Sequence, residues 1–302
     1  MRIDAHQHFW HYDPVDHAWM SEAMGVLRQD YLPRDLAPQL RAAGIDGTVA
    51  VQARQRLDET AFLLDLADSA PWIKGVVGWV DLRDPDLGET LEALTGHPKL
   101  VGVRHVVHDE PDDDFLLRSD VRRGIGWLRA YGLTYDLLLF PRHLSRAVRL
   151  AEEYPDQPFV LDHIAKPLIR DGVIEPWASD LRRLAACANV TCKLSGMVTE
   201  ARWDAWRPEQ LWPYLDVALE AFGPDRLMIG SDWPVCTLAA DYARTMEVVV
   251  TYVERLGREA AEAMLGGTAA RVYVLQGALN AGTGRPSREE SPRSCGHSDP
   301  EP

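Results

Sequence analysis

The stretch TYDLLLFPRHLSRAVRLAEEYPDQPFVLDHI, residues 134–164, decides the fold. TYDLLLF (134–140) and PFVLDHI (158–164) are short, nearly unbroken apolar runs, and PRHLSRAVRLAEEY between them repeats its apolar residues at helical spacing behind a proline. Continuous apolar character is how a strand buried on both faces reads, and such strands belong to parallel sheets wrapped by helices. Strand, helix, strand is therefore the building unit.

Working outward, the same rhythm covers the chain. RIDAH (2–6), GTVAVQA (47–53), IKGVVGWV (73–80), LVGVRHVV (100–107), NVTCKLS (189–195) and DRLMIGS (225–231) bring the strands to eight. Amphipathic stretches such as LPRDLAPQLRAAG and EQLWPYLDVALEAFG separate them, several with Pro near the start or Gly just after the end. Eight such units predict an α/β protein built as a closed (β/α)₈ TIM barrel. An open doubly wound sheet is the alternative, but no GxGxxG turn follows the first strand. Arg258 to Leu275 reads as one further helix that closes the domain. The barrel domain is expected over 1–276, and 277–302, rich in Gly, Pro, Ser and charge with no aromatic residue, is expected to be a disordered tail.

Composition narrows the partners. A chain of 302 residues that is 46% hydrophobic can bury one large core. A net charge of −14 with no basic stripe argues against a nucleic-acid backbone or an anionic membrane, which leaves small molecules. The cysteines, at 187, 192, 236 and 295, form no CxxC pair, so neither a disulfide framework nor a zinc knuckle is expected, and a reducing cytoplasm fits. No run of about 18 uncharged apolar residues occurs and no leader precedes the first strand, so a soluble cytoplasmic protein is expected. A homo-oligomer is compatible with a barrel enzyme, although no segment signals self-association.

Catalytic groups of such a barrel sit at the C-terminal strand ends, where the βα loops form the open mouth. His6 and His8 follow RIDA, and alternation sends both side chains to one face, where two imidazoles can share a metal ion or simply hydrogen-bond at the rim. Asp162 and His163 end the sixth strand in LDHIAKP, and Asp232 follows LMIGS at the end of the eighth, where it either caps a turn before Pro234 or is poised for proton transfer. Imidazoles after strands one and six and a carboxylate after strand eight would converge on one mouth.

DAHQHFW, LDHIAKP, CKLSG, FGPDRLMIGSDWPV and GGTAARVY, in this order, resemble the amidohydrolase superfamily (amidohydrolase 2 type), and within it the sugar-acid lactonase branch of the L-fuconolactonase and L-rhamnonolactonase kind. The likeness runs from about Met1 to Val274. It implies the same barrel and a hydrolase that opens sugar-acid lactones. It also implies a divalent metal, zinc held by His6, His8 and Asp232, although relatives such as 2-pyrone-4,6-dicarboxylate lactonase work without one. The fifth strand here lacks the lysine or histidine that many amidohydrolases use as a further ligand, and both readings stay open.

A lactonase needs an activated water, a base, a positive group for the oxyanion and a donor for the leaving oxygen. Asp232 is the expected base, with His6, His8 and His163 stabilising the oxyanion directly or through a metal. Arg104 and His105 end strand four, and Arg104 could contact a lactone oxygen or pair with a carboxylate in the barrel. Lys193 could contact substrate or serve as an internal ion-pair partner. Trp10 and Trp233 could offer sugar rings a flat face or be loop packing. Ser195 and Ser231 lack the setting of a nucleophile elbow and read as structural. The competing functions are a metal-dependent amide hydrolase or decarboxylase on the same barrel, and a non-catalytic barrel that binds a sugar acid.

Overall fold

The computed structural model describes residues 1–275. Its sheet has eight parallel strands in chain order: β1 (Ile3–Gln7), β2 (Gly47–Val51), β3 (Ile73–Gly78), β4 (Leu100–His105), β5 (Thr134–Leu137), β6 (Phe159–Leu161), β7 (Val190–Leu194) and β8 (Leu227–Ile229). Helices α1 (Pro33–Ala43), α2 (Leu57–Ser69), α3 (Leu87–Thr95), α4 (Ser119–Leu128), α5 (Leu144–Glu153) and α6 (Trp177–Ala185) connect successive strands through β7. The β7–β8 connection carries α7 (Met197–Glu200), a single turn the sequence rhythm does not announce, and α8 (Pro208–Phe222); α9 (Tyr242–Glu254) follows β8. The (β/α)₈ barrel expected from the periodicity is the observed architecture. Expectations for 277–302 lie outside the described residues.

Local chemistry sets the helix ends. Pro33 occupies the first position of α1, Asp35 accepts the Leu32 amide at 2.9 Å, and Gly44 ends the helix at φ 66°. The strands are shorter at their C-terminal ends than the apolar runs suggest, because β5, β6 and β8 stop where the chain turns into the mouth.

Closure of the barrel is made by β1 and the residues after β8. Gln7 and Trp233 form a parallel bridge, the His8 amide donates to the Trp233 carbonyl at 2.7 Å, and the Asp232 amide to that of His6 at 2.8 Å. Asp4 braces this seam. Its buried carboxylate accepts the Ser231 amide at 2.9 Å, the Ser231 hydroxyl at 2.6 Å and the Tyr242 hydroxyl of α9 at 3.1 Å. The β1–β2 register slips between Asp4 and Gln7, a bulge that re-aims side chains at the rim.

The expected last helix also differs. It forms as α10 (Arg258–Glu262) and α11 (Thr268–Val272), separated by a π-helical turn over Ala263–Gly267. A side chain at Gly266 would collide with the Met1 carbonyl, so the turn lets this segment back directly onto the start of β1. Beyond α11 the chain inserts Tyr273 and Leu275 among Ile3, Val49, Val77, Val101 and Met228 and so fills the barrel from below. The larger core lies between the sheet and its ring of helices. Among the described residues no helix is long and apolar enough to cross a membrane.

Candidate active site at the barrel mouth

His6 on β1, His8 just beyond it, His163 after β6 and Asp232 after β8 meet at one buried point. Asp232 Oδ1 lies 3.2 Å from His8 Nε2, 3.7 Å from His6 Nε2 and 3.8 Å from His163 Nε2. The two Nε2 atoms of His6 and His8 are 3.2 Å apart. Each ring is oriented from behind. His8 Nδ1 sits 2.8 Å from the Val51 carbonyl, which can only accept, so Nδ1 carries the proton and Nε2 presents its lone pair to the site. His6 Nδ1 is 3.2 Å from Asp162 Oδ1, and His163 Nδ1 is 2.9 Å from the Ser195 hydroxyl.

Two of these residues are held in left-handed backbone. Asp232 has φ 58°, and His163, Ile164, Ala165 and Lys166 follow one another at 54°, 47°, 60° and 50°. Each costs roughly 1–2 kcal/mol, and more for a β-branched residue such as Ile164. The run is held by the Lys166 amide on the His163 carbonyl at 2.8 Å and the Trp177 indole on the Ile164 carbonyl at 2.7 Å. Strain of this kind collects at functional sites because the surrounding structure must over-determine it. Gly196, at φ 64°, completes the fit: a Cβ there would lie 2.5 Å from His163 Nδ1.

Burial drives the electrostatics. It pushes His6 and His163 well below the ordinary imidazole value, so both rings are neutral at neutral pH. It pushes Asp232 upward, but the imidazoles of His163 and His8 and the Lys166 ammonium outweigh it and hold the carboxyl below its usual range.

Beneath the imidazoles lies a buried charged layer. Lys193 Nζ reaches Asp136 Oδ2 at 2.7 Å, Asp162 Oδ1 at 2.9 Å and His6 Nδ1 at 3.2 Å. The Tyr273 hydroxyl donates to Asp136 Oδ2 at 2.6 Å. Arg104 donates from Nε to Gln52 Oε1 at 3.0 Å, from Nη2 to Gln52 Oε1 at 2.8 Å and to the Gln52 carbonyl, and from Nη1 to Asp162 Oδ2 at 2.9 Å and His6 Nε2 at 3.2 Å. Burial raises Asp162, yet Lys193, His6 and Arg104 together hold it well below the usual carboxylate range; for Asp136 burial prevails over Lys193 and the carboxyl is raised.

Residues 3–275 match the Amidohydrolase family. The chain is 45% identical to an L-fucono-1,5-lactonase of Burkholderia multivorans, with 91% of this chain and 96% of that protein covered. It is 38% identical to an L-fucono-1,5-lactonase of Burkholderia ambifaria over the same shares. A crystal structure of a Burkholderia multivorans amidohydrolase with bound zinc superposes with a TM-score of 0.88 at 45% identity, covering 91% of this chain and 99% of that one. The chain belongs to the amidohydrolase family.

In this amidohydrolase the expected quartet of His6, His8, His163 and Asp232 is brought together, while the expected substrate contacts are placed differently. His105 points away from the quartet. Its ring is 2.7 Å from Glu110, accepts from the Trp79 indole at 3.3 Å and stacks on Phe115, as strand alternation beside Arg104 requires. Trp10 and Trp233 are each 1% exposed, which leaves no free face for a sugar ring. Trp10 packs on Tyr31, Trp19 and His17, and Trp233 on Phe9 and Tyr31. Arg104 and Lys193 take the internal ion-pair option, with all five Arg104 N–H groups engaged within the protein.

Some contributors were not singled out by their sequence. Gln52 carries no motif signal and Ser195 read as structural, but Asp136 does carry one: a carboxylate inside TYDLLLF, a run that reads as buried on both faces, must have an internal cation. Lys166 bears on His163 and Asp232 electrostatically and pairs at 3.2 Å with Glu200, which lines a groove of about 670 Å³ together with Leu168, Thr199 and Trp203. His143 is bound at 3.0 Å to Asp113, in the acidic stretch 111–114 that also pairs with Arg142 and Arg146, and takes no part in the quartet.

The donor set fits a divalent cation. His6 Nε2, His8 Nε2 and Asp232 Oδ1 are spaced 3.2, 3.2 and 3.7 Å, close to the separation of about 3.3 Å that tetrahedral bonds of about 2.0–2.1 Å produce. Three lone pairs aimed at one point repel one another unless positive charge lies between them.

Proposed function

We propose that this amidohydrolase opens a sugar-acid lactone of the L-fuconolactone or L-rhamnonolactone type by attack of an activated water on the lactone carbonyl. The observation that carries the reading is Asp232, an ionised carboxylate within 4 Å of three imidazoles at the mouth of the barrel, in a chain 45% identical to an L-fucono-1,5-lactonase.

Asp232 Oδ1 takes a proton from the attacking water, and the carbonyl becomes a tetrahedral oxyanion. With Ser195 donating to Nδ1, His163 carries its proton on Nε2 and offers it to that oxygen. As the ring C–O bond breaks, the Asp232 carboxyl returns the proton to the departing oxygen, which becomes the hydroxyl of the open sugar acid. No protein nucleophile is needed. Zinc held by His6, His8 and Asp232 would supply Lewis-acid polarisation and a more acidic water. His6, held by Asp162 and Lys193, and His8, held by Val51, keep their Nε2 atoms toward the mouth whether or not an ion is bound. Glu200 lines the neighbouring groove and pairs with Lys166, and this carboxylate and ammonium can hydrogen-bond the substrate's hydroxyls. The buried free thiols of Cys192 and Cys236 suit a reducing, cytoplasmic setting.

The test follows acid release from L-fucono-1,5-lactone and L-rhamnonolactone with a pH indicator, against the spontaneous rate, with and without chelator. Turnover of either lactone supports the reading. If both are untouched while an amide or an aromatic carboxylate turns over only with zinc, the metal-dependent alternative replaces it; binding of a sugar acid without turnover of any substrate leaves the non-catalytic barrel.

A further inference from the structure

Arg104 Nη1 donates to His6 Nε2 at 3.2 Å. That nitrogen has one in-plane lone pair, the same one an ion held by His6, His8 and Asp232 would use. We propose that Arg104 is a built-in competitor for the cation position, so that a divalent ion enters only when the guanidinium gives up His6. The inference rests on the ligand set proposed above.

The surrounding contacts build this competition into the barrel. Asp162 serves both sides of it: Oδ1 lies 3.2 Å from His6 Nδ1, where Lys193 Nζ stands at the same distance, while Oδ2 holds Arg104 Nη1 at 2.9 Å against the Nε2 lone pair. Gln52, itself fully buried, anchors the other edge of the guanidinium with its side-chain and backbone oxygens. A guanidinium does not deprotonate, so the N–H cannot be lost to make room; it must move, and moving breaks charge-assisted bonds in a buried site. The chain thereby supplies from β4 part of the positive charge that three converging lone pairs demand.

Zinc binding to the chelator-stripped full-length protein, measured by calorimetry, tests this. Arg104→Met is expected to bind zinc at least about tenfold more tightly than wild type, the equivalent of one charge-assisted hydrogen bond. Gln52→Leu keeps the charge of Arg104 but loosens its anchor, and is expected to tighten zinc by a smaller factor. If only Arg104→Met tightens binding, simple charge repulsion explains it and the competition is overturned. If neither variant does, the proposal also fails. Adding His8→Ala to Arg104→Met distinguishes the underlying reading: loss of binding supports the ligand set, whereas undiminished binding overturns both. Should Arg104→Met not fold, ¹⁵N spectra of the metal-free wild type decide. An unprotonated, hydrogen-bonded Nε2 on His6 supports the proposal and a protonated Nε2 overturns it.

Discussion

The backbone amide of Asp232 donates to the carbonyl of His6 at 2.8 Å, so a hydrogen bond that closes the barrel joins two residues whose side chains face each other across the site. Closing the cylinder and assembling the site are one event. The side chain of Asp232 is free of this duty. Asp232→Asn should therefore lower kcat for the lactone by about 10²–10⁴-fold while circular dichroism and melting temperature change little. A mutant with undiminished turnover would exclude Asp232 as the base.

Ser195 is the side chain within hydrogen-bonding distance of His163 Nδ1, at 2.9 Å. Ser195→Ala should lower kcat by about fivefold to twentyfold, the loss of one orienting hydrogen bond of about 1–2 kcal/mol, with KM little changed. Gly196→Ala should be worse, since it adds a Cβ 2.5 Å from the same nitrogen in left-handed backbone. Steady-state kinetics on both variants checks the order.

The pH profile follows from the direction of three shifts. His6 and His163 lie well below the ordinary imidazole value, so neither titrates near neutrality. Asp232 lies below the ordinary carboxylate value; since a base must be ionised, activity is lost only as pH falls through that lowered pKa. The enzyme-catalysed kcat/KM, corrected for spontaneous hydrolysis, should show no limb from His6 or His163 near the ordinary imidazole pKa of about 6.5, and replacing His163 should leave the shape of the profile there unchanged. A fall there that disappears on replacing His163 would assign the step to that histidine instead.

Gly266 bears on the fold and not on the chemistry, because its missing side chain makes room for the Met1 carbonyl at the start of β1. Gly266→Ala should cost about 1–3 kcal/mol, lowering the melting temperature by several degrees, with kcat retained at temperatures where the protein stays folded. Thermal melting and an assay at 20 °C separate the two effects. A coincident loss of kcat would show that the C-terminal segment reaches the site through Tyr273 and Asp136.

Periodicity is local, so the number, order and approximate limits of the strands were already present in runs such as TYDLLLF and LMIGS. So was the convergence of His6, His8, His163 and Asp232, because strand ends of a closed parallel barrel share one rim. The partner of a buried charge is not local. Lys193 and Arg104 were each compatible with substrate or with an internal carboxylate, and only the packing of β4, β5, β6 and β7 gave them Asp136 and Asp162. Trp10 and Trp233 looked alike for sugar stacking and for packing until their neighbours were known. The long C-terminal apolar stretch read as one helix because hydropathy records burial and is blind to the backbone of Met1 approaching from elsewhere. Sequence alone determined the cylinder and the rim on which its reactive groups stand; tertiary structure decided which of them face one another, because side-chain pairing energies depend on distances of a few ångströms that residue order does not encode.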